Sequence, residues 1–321
     1  MDIKNIIQEI ISAGKKVENV FFVGCGASKA DLYPAYYFMR NNSSLRSALI
    51  TANEFNYDTP VGVGEHSIVV TASLGGTTPE TVTATAKSKE LGAHVISLTT
   101  EEGSPITTDP DYVIVHGFHK NYAAKLEKMT YALKIAVEIV NQTEGYAHYD
   151  AIQDGFYKIP ELIEKAVTQV GKSAREFAEA YKNASNIYVL GSGATAEVAY
   201  ATSLCLFLEM QWINSASIHS GEFFHGALEI TDKDVPFLLF MNEGKTREMD
   251  ARALDFLNRF DAKVTVLDSK DFGLSSHIDS EVVDYFNPML LTAVVRVHAE
   301  KLAEVREHPL TKRRYMWKLE Y

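Results

Sequence analysis

The sequence predicts an α/β protein built from two doubly wound parallel-sheet halves related by internal duplication. Three observations carry that expectation. Short apolar runs alternate with polar-faced helical segments along the 321-residue chain, as successive βαβ units require. The same order of segments occurs twice. Marker residues also recur at a nearly constant separation: Gly24 to Gly191 is 167 positions, and Glu54 to Glu222, Gly76 to Gly244 and Thr78 to Thr246 are each 168. Chance supplies one such match easily, but not four in chain order.

Taken in order, "VENVFFVGCGASKA" reads as a strand that enters a glycine turn and a helix, and "LRSALITANEF" as a second strand with a short helix. "HSIVVTASLGGTTPETVTATAKSKELG" supplies a third strand and its crossover helix, and "AHVISLT" a fourth strand. The second half repeats this grammar in "ASNIYVLGSGATAEVAYA", "NSASIHSGEFF", "VPFLLFMNEGKTREMDARALDFLNRF" and "AKVTVLD". The polar, glycine-bearing segment at 141–155 reads as the join, with a helical stretch at 158–183 leading onward. The expected domains are residues 1–150 and 151–321.

Composition narrows the function classes. The formal net charge is −11, which argues against a general nucleic-acid binder with its basic face, though not against a local pocket for a small anion. Cys25 and Cys205 are the two cysteines, far apart, so neither a disulfide framework nor a CxxC metal site is available. The start, "MDIKNIIQEIISAGKK", lacks the long apolar run of a signal peptide, and no stretch suggests a membrane span. A cytoplasmic protein with no nucleic-acid or membrane partner is the expectation.

Two glycine turns invite an anion. Gly24 and Gly26 follow an apolar strand and expose backbone N–H groups at a helix N-terminus, but "GCGASKAD" lacks the third glycine of a dinucleotide fingerprint. A tight turn without ligand explains it equally well. The second turn, "VVTASLGGTTPET", gathers Ser73, Gly75, Gly76, Thr77 and Thr78 before Pro79, which suits the first turn of a helix. An ordinary N-cap needs one hydroxyl; this many describes a phosphate cradle. The matching "MNEGKTRE" places Asn242 and Glu243 there, and a carboxylate would repel phosphate. One half is expected to hold phosphate, the other to be repurposed.

The stretch from Val198 to Met210 is apolar almost all round and predicts a buried helix. Glu209 sits near its C-terminal end, where burial and the macrodipole both disfavour the carboxylate and suit a general base. A glutamate reaching solvent or pairing with a lysine is the plain alternative. In "HSGEFFHGALEI", His225 lies in a loop between glycines, a usual place to deliver a side chain to a site. Backbone satisfaction of its ring is the alternative. Glu222 reads as a cap or a second acid. No His, Asp or Glu set shows metal-ligand spacing.

Together these segments, with "TEGYAHYD", "LEMQWINSASIHSGEFFHGALEI" and the tail "HPLTKRRYMWKLEY", resemble the sugar isomerase (SIS) domain family. More closely, they resemble its bacterial fructosamine-6-phosphate deglycases, across nearly the whole chain. The resemblance implies two flavodoxin-like halves and a sugar phosphate held at Ser28, Ser73 and Thr78, with Gly26 nearby. It places the family's catalytic glutamate and histidine on Glu209 and His225. "ASLGGTT" departs from the more usual SxSGxT pattern, with Gly75 where serine is common, so backbone N–H groups carry more of the binding. Glu222 repeats Glu54 of the first half, which has no matching histidine, so Glu222 reads as structural.

The implied reaction is cleavage of a fructose-amino acid 6-phosphate by proton transfer between C1 and C2, with no cofactor and no metal. The resemblance also implies a homodimer with shared active sites and a tail that folds over the sugar site. Lys312, Arg313, Arg314 and Lys318 are candidate cations for an acidic amino acid such as aspartate, Arg314 and Lys318 being the expected contacts; a solvated basic face explains the run as well. An aldose–ketose phosphate isomerase, an amino-sugar phosphate deaminase and a non-catalytic sugar-phosphate sensor stay open. A glutamine-dependent amidotransferase is disfavoured, because Asp2 rather than Cys follows Met1 and no glutaminase segment precedes the first half.

Overall fold

The computed structural model describes residues 2–13 and 16–320. The chain divides into two compact units, Met1–Phe156 and Tyr157–Tyr321.

In the first unit, β1 (Asn19–Gly24), β2 (Arg46–Thr51), β3 (Ser67–Ala72), β4 (His94–Thr99) and β5 (Tyr112–Val115) form one sheet in the order β2-β1-β3-β4-β5. Every neighbouring pair is parallel. All residues of β1 and β3 are buried, so these strands read as continuous apolar runs rather than alternating ones. The register sets Gly24 level with both Thr51 and Ala72. The turns after β1, β2 and β3 therefore emerge along one edge. Strand order reverses between β1 and β3, and in such sheets ligands bind outside the carboxyl ends at that point.

In the second unit, β6 (Asn186–Gly191), β7 (Asn214–His219), β8 (Pro236–Met241) and β9 (Lys263–Asp268) follow the order β7-β6-β8-β9, also all parallel. This is the first sheet's order without its fifth strand. The duplication is explicit strand by strand: Asn19 to Asn186 is 167 positions, Arg46 to Asn214 is 168, and Ser67 to Pro236 and His94 to Lys263 are 169. Strand lengths match, and the drift arises in the connections.

Two local expectations differ from the structure. The segment 141–155 is mostly helical: one helix runs Glu127–Thr143 and the next begins at Tyr149 and continues to Gln169. Its buried Ile152, Phe156, Ile159 and Ile163 recur at helical spacing beneath a polar composition. The apolar stretch from Val198 is not buried all round either. It forms a short helix, Ala196–Ala201, that passes into a π-helix, Thr202–Gln211, and Leu204 and Leu208 are exposed. The helix covers β7, an edge strand, so its outer side has nothing to pack against in this unit.

Candidate active site

The first unit presents the hydroxyl cradle. Gly76 has φ +65°, and a Cβ there would lie 1.9 Å from Ser104 Oγ, so only glycine lets the turn after β3 close. The turn brings Ser73 Oγ to 2.9 Å from Thr78 Oγ1. Thr78 stands at the N-cap of the helix Pro79–Glu90 yet makes no side-chain capping bond. The two hydroxyls face each other, and Ser73 Oγ also accepts from Thr78 N at 3.5 Å, so the Thr78 side chain does not serve as an ordinary cap. Gly75 and Thr77 are exposed at the same turn, while Ser73 is buried.

Ser28 and Gly26 lie in the first turn of the helix Gly26–Asn42, which follows β1 next to the cradle strand and also lacks a side-chain cap. Ser28 Oγ accepts a hydrogen bond from Lys128 Nζ at 2.9 Å, and the same ammonium lies 3.0 Å from Asp31 Oδ2. Sequence reasoning missed Lys128. Its signal was a lysine on the face of Glu127–Thr143 that otherwise buries Met129, Ala132, Leu133 and Ile135. His116 is buried nearby and its Nδ1 pairs with Gly117 O. Burial pushes its pKa below the ordinary histidine value, and the Lys128 cation pushes the same way.

The equivalent turn of the second unit is filled by its own side chains. Asn242 Nδ2 donates to Thr246 Oγ1 at 3.0 Å and to Asp250 Oδ2 at 2.7 Å. Arg247 is spent on Asp268 and on Asn242 O, while the Glu243 carboxylate accepts from Ser275 N and Oγ. A ligand phosphate would have to displace this network. Asp250, fully buried, also accepts from Ser220 Oγ at 2.6 Å, and burial pushes its carboxyl up to about 6.

Ser220 opens the loop that carries His225. The loop is pinned by Phe223, which is fully buried against Phe224, Phe237 and Phe256. Glu222 and His225 flank that anchor and are exposed, and among the described residues neither side chain has a hydrogen-bond partner. Gly226 after them has φ +135°, which explains the glycine without any crowding.

Glu209 lies two residues before the end of the π-helix. π-Helical turns are rare and concentrate at functional sites. Its Oε1 is 2.6 Å from Arg313 Nη2 in the C-terminal tail. Burial raises its pKa above the ordinary carboxylate value, and the Arg313 charge and hydrogen bond pull the other way. Arg313 is itself almost buried, donates to Leu310 O and Lys312 O, and stacks over Trp317. Of the other tail cations, Arg314 lies 4.4 Å over the Trp212 ring, Lys312 5.1 Å over the same ring, and Lys318 Nζ donates to Arg313 O. The tail thus docks on the end of the π-helix of its own unit. Tyr321, the last aromatic of the tail, lies outside the described residues.

Glu209 and His225 are not brought together within one chain. The π-helix precedes β7 and the histidine loop follows it, and six strand residues span about 20 Å. The π-helix packs on the helix Asn287–Val305, whereas Phe223, Phe224 and Leu228 of the loop pack with residues of the helix Arg247–Arg259. Connections that run in opposite directions along a doubly wound sheet cover opposite faces. The sheet therefore separates the two side chains. Among the described residues, no three His, Cys, Asp or Glu side chains converge to hold a metal ion.

Residues 15–117 match the family described as SIS domain. Fructosamine deglycase FrlB of Bacillus subtilis (strain 168) is 40% identical over 309 residues, which is 96% of this chain and 94% of that protein. Fructoselysine 6-phosphate deglycase of Escherichia coli (strain K12) is 23% identical over 313 residues, 97% of this chain and 88% of that one. A crystal structure from Salmonella typhimurium LT2, described as a phosphosugar isomerase, superposes with a TM-score of 0.96 at 40% identity, covering 99% of this chain and 96% of the other.

Proposed function

This chain belongs to the SIS-domain family and, within it, to the fructosamine deglycases, and on that premise we propose that it cleaves fructose-amino acid 6-phosphates with water into glucose 6-phosphate and a free amino acid. The observation that carries the reaction class is the 40% identity to the Bacillus deglycase over nearly the full length of both chains. The cradle of Ser73, Gly75, Gly76, Thr77 and Thr78, with Ser28 on the neighbouring turn, supports a phosphorylated substrate.

The chemistry assigned to Glu209 is proton transfer between C1 and C2. In the open-chain substrate C1 carries the amine and C2 the carbonyl. Glu209 takes a proton from C1 while His225 protonates the C2 oxygen, which gives an enaminol. Return of a proton to C2 leaves a Schiff base at C1. Water adds there, the C1–N bond breaks, the amine leaves with a proton and the aldehyde of glucose 6-phosphate remains. The substrate supplies the nitrogen on which the step depends. A half-buried carboxylate whose pKa is raised suits the base. An exposed histidine without a partner among the described residues suits an acid that serves a site other than its own unit's.

The separation of Glu209 from His225 supports a homodimer whose sites each combine Glu209 of one protomer with His225 of the partner subunit. The tail supports the finer reading of an acidic leaving group such as aspartate, since Lys312 and Arg314 gather over Trp212 beside the Arg313–Glu209 pair. The assay is release of glucose 6-phosphate and amino acid from fructose-aspartate, fructose-asparagine and fructose-glycine 6-phosphates and from their unphosphorylated forms. Turnover of phosphorylated compounds, fastest for aspartate, is expected. The isomerase description of the Salmonella structure favours a second reading, aldose–ketose isomerisation. Interconversion of glucose and fructose 6-phosphates without amine release would select it.

A further inference from the structure

A lysine on the apolar face of a helix is an unusual choice, because a buried ammonium loses its hydration. Lys128 is 3% exposed and keeps its charge company with Asp31 and Ser28. As a helix clamp alone, the position would be served by a hydrophobic residue of similar volume. Two features point instead to a ligand. Ser28 Oγ receives a hydrogen bond from Lys128, so its own hydroxyl hydrogen is left to donate outward from the first turn of a helix without a side-chain cap. The ammonium has three donors, and among the described residues its partners are Ser28 and Asp31, which leaves one to spare. Burial, helped by the Lys128 cation, disfavours a second positive charge on His116 beside it.

We propose that Lys128 is the specificity-determining cation of the first unit's cradle, making it select a phosphate dianion over a monoanion, with Asp31 setting how much of that charge the ligand meets. The proposal rests on the reading of this cradle as a sugar-phosphate site. Ser28 is the link: a phosphate oxygen bonded to its hydroxyl lies one hydrogen-bond step from the ammonium. At that range a second negative charge on the ligand is felt strongly. Asp31, one turn further along the same helix and 3.0 Å from the ammonium, holds the lysine in place and offsets part of its field.

Calorimetric titration of the full-length protein with glucose 6-phosphate and with glucose 6-sulfate, a monoanion of similar shape, tests this. Lys128→Met should weaken glucose 6-phosphate by about 10- to 100-fold and glucose 6-sulfate by clearly less, so the preference for phosphate shrinks. Asp31→Asn, which keeps the lysine and removes the opposing charge, should enlarge that preference. A structural clamp predicts no such enlargement, since both variants would then loosen the same contact and weaken the two esters alike. If Lys128→Met does not fold, Asp31→Asn alone decides the matter by the direction of its change. An unchanged phosphate-to-sulfate ratio in the folded variants overturns the proposal while leaving the cradle standing. Wild-type protein that binds neither ester overturns the cradle reading and the proposal with it.

Discussion

Arg313 closes on Glu209 at 2.6 Å, so the proposed base is held by an arginine from the same unit's C-terminal tail. Two opposed influences act on one carboxylate: burial raises its pKa, and the guanidinium restrains the rise. Glu209→Gln keeps the shape and removes the base, so turnover should fall by at least about 10²-fold with the fold intact by circular dichroism. Arg313→Gln leaves burial unopposed. Because the base works as the anion, the acid limb of the kcat–pH profile should move to higher pH in that variant. A limb that stays in place, or moves to lower pH, would remove Arg313 from the site.

The cradle gives a different signature. If the cradle holds the substrate phosphate as proposed, Ser73→Ala and Thr78→Ala each delete a hydroxyl bonded to a charged group, a loss of about 1.5–3 kcal/mol in substrate binding. KM should rise by about 10- to 100-fold with kcat less affected. Gly76→Ala should do at least as much damage, since its Cβ would strike Ser104 and its φ is positive. Steady-state kinetics on one phosphorylated substrate checks all three, and unchanged KM in the serine and threonine variants would move the phosphate elsewhere.

The sequence carried the sheets because β1, β3 and β8 are buried along their whole length, and β6 over most of it, so they advertise themselves as apolar runs. The hydroxyl-rich turn after β3 was legible too, because its residues are contiguous. Lys128 was out of reach, as it meets Ser28 from a helix 100 residues away and its own neighbours look like plain core. Arg313 was visible only as one of four tail cations, and nothing local to the tail says which of them meets Glu209. The π-helix was hidden for a similar reason: an apolar run announces a helix, but its hydrogen-bond period depends on the tertiary setting.

Asp250 sets a pH dependence of stability. Its folded-state pKa is raised from 3.8 to about 6, so the folded protein holds a proton that the unfolded chain has already lost in that range. The group's contribution is fully present below about pH 3.8 and is lost as pH rises through about 6, a swing of ~3 kcal/mol. Asp250→Asn cannot titrate. Urea midpoints at pH 4.5 and 7.5 should therefore show the wild type gaining on the variant at the lower pH. A difference that does not change with pH would mean that Asp250 stays ionised throughout.

The final prediction concerns the two faces of the second sheet. Glu209 ends the π-helix before β7, while His225 follows β7 on the side packed by Phe223 and the helix Arg247–Arg259. On the proposed reading a single chain offers one or the other to a given substrate, so each variant alone should be inactive while a mixture recovers activity. In a mixed dimer of Glu209→Gln and His225→Ala, one site combines both damaged residues and the other combines both intact ones. Random exchange makes half the dimers mixed, each with one of its two sites whole, so activity should return to roughly a quarter of wild type. Mixing the purified variants under conditions that exchange subunits, followed by the glucose 6-phosphate assay, reads this directly. Light scattering should report twice the chain mass of 35.7 kDa. Activity that stays at the level of the single variants after proven exchange would place both residues in one chain's site, and the sheet between them would then need another explanation.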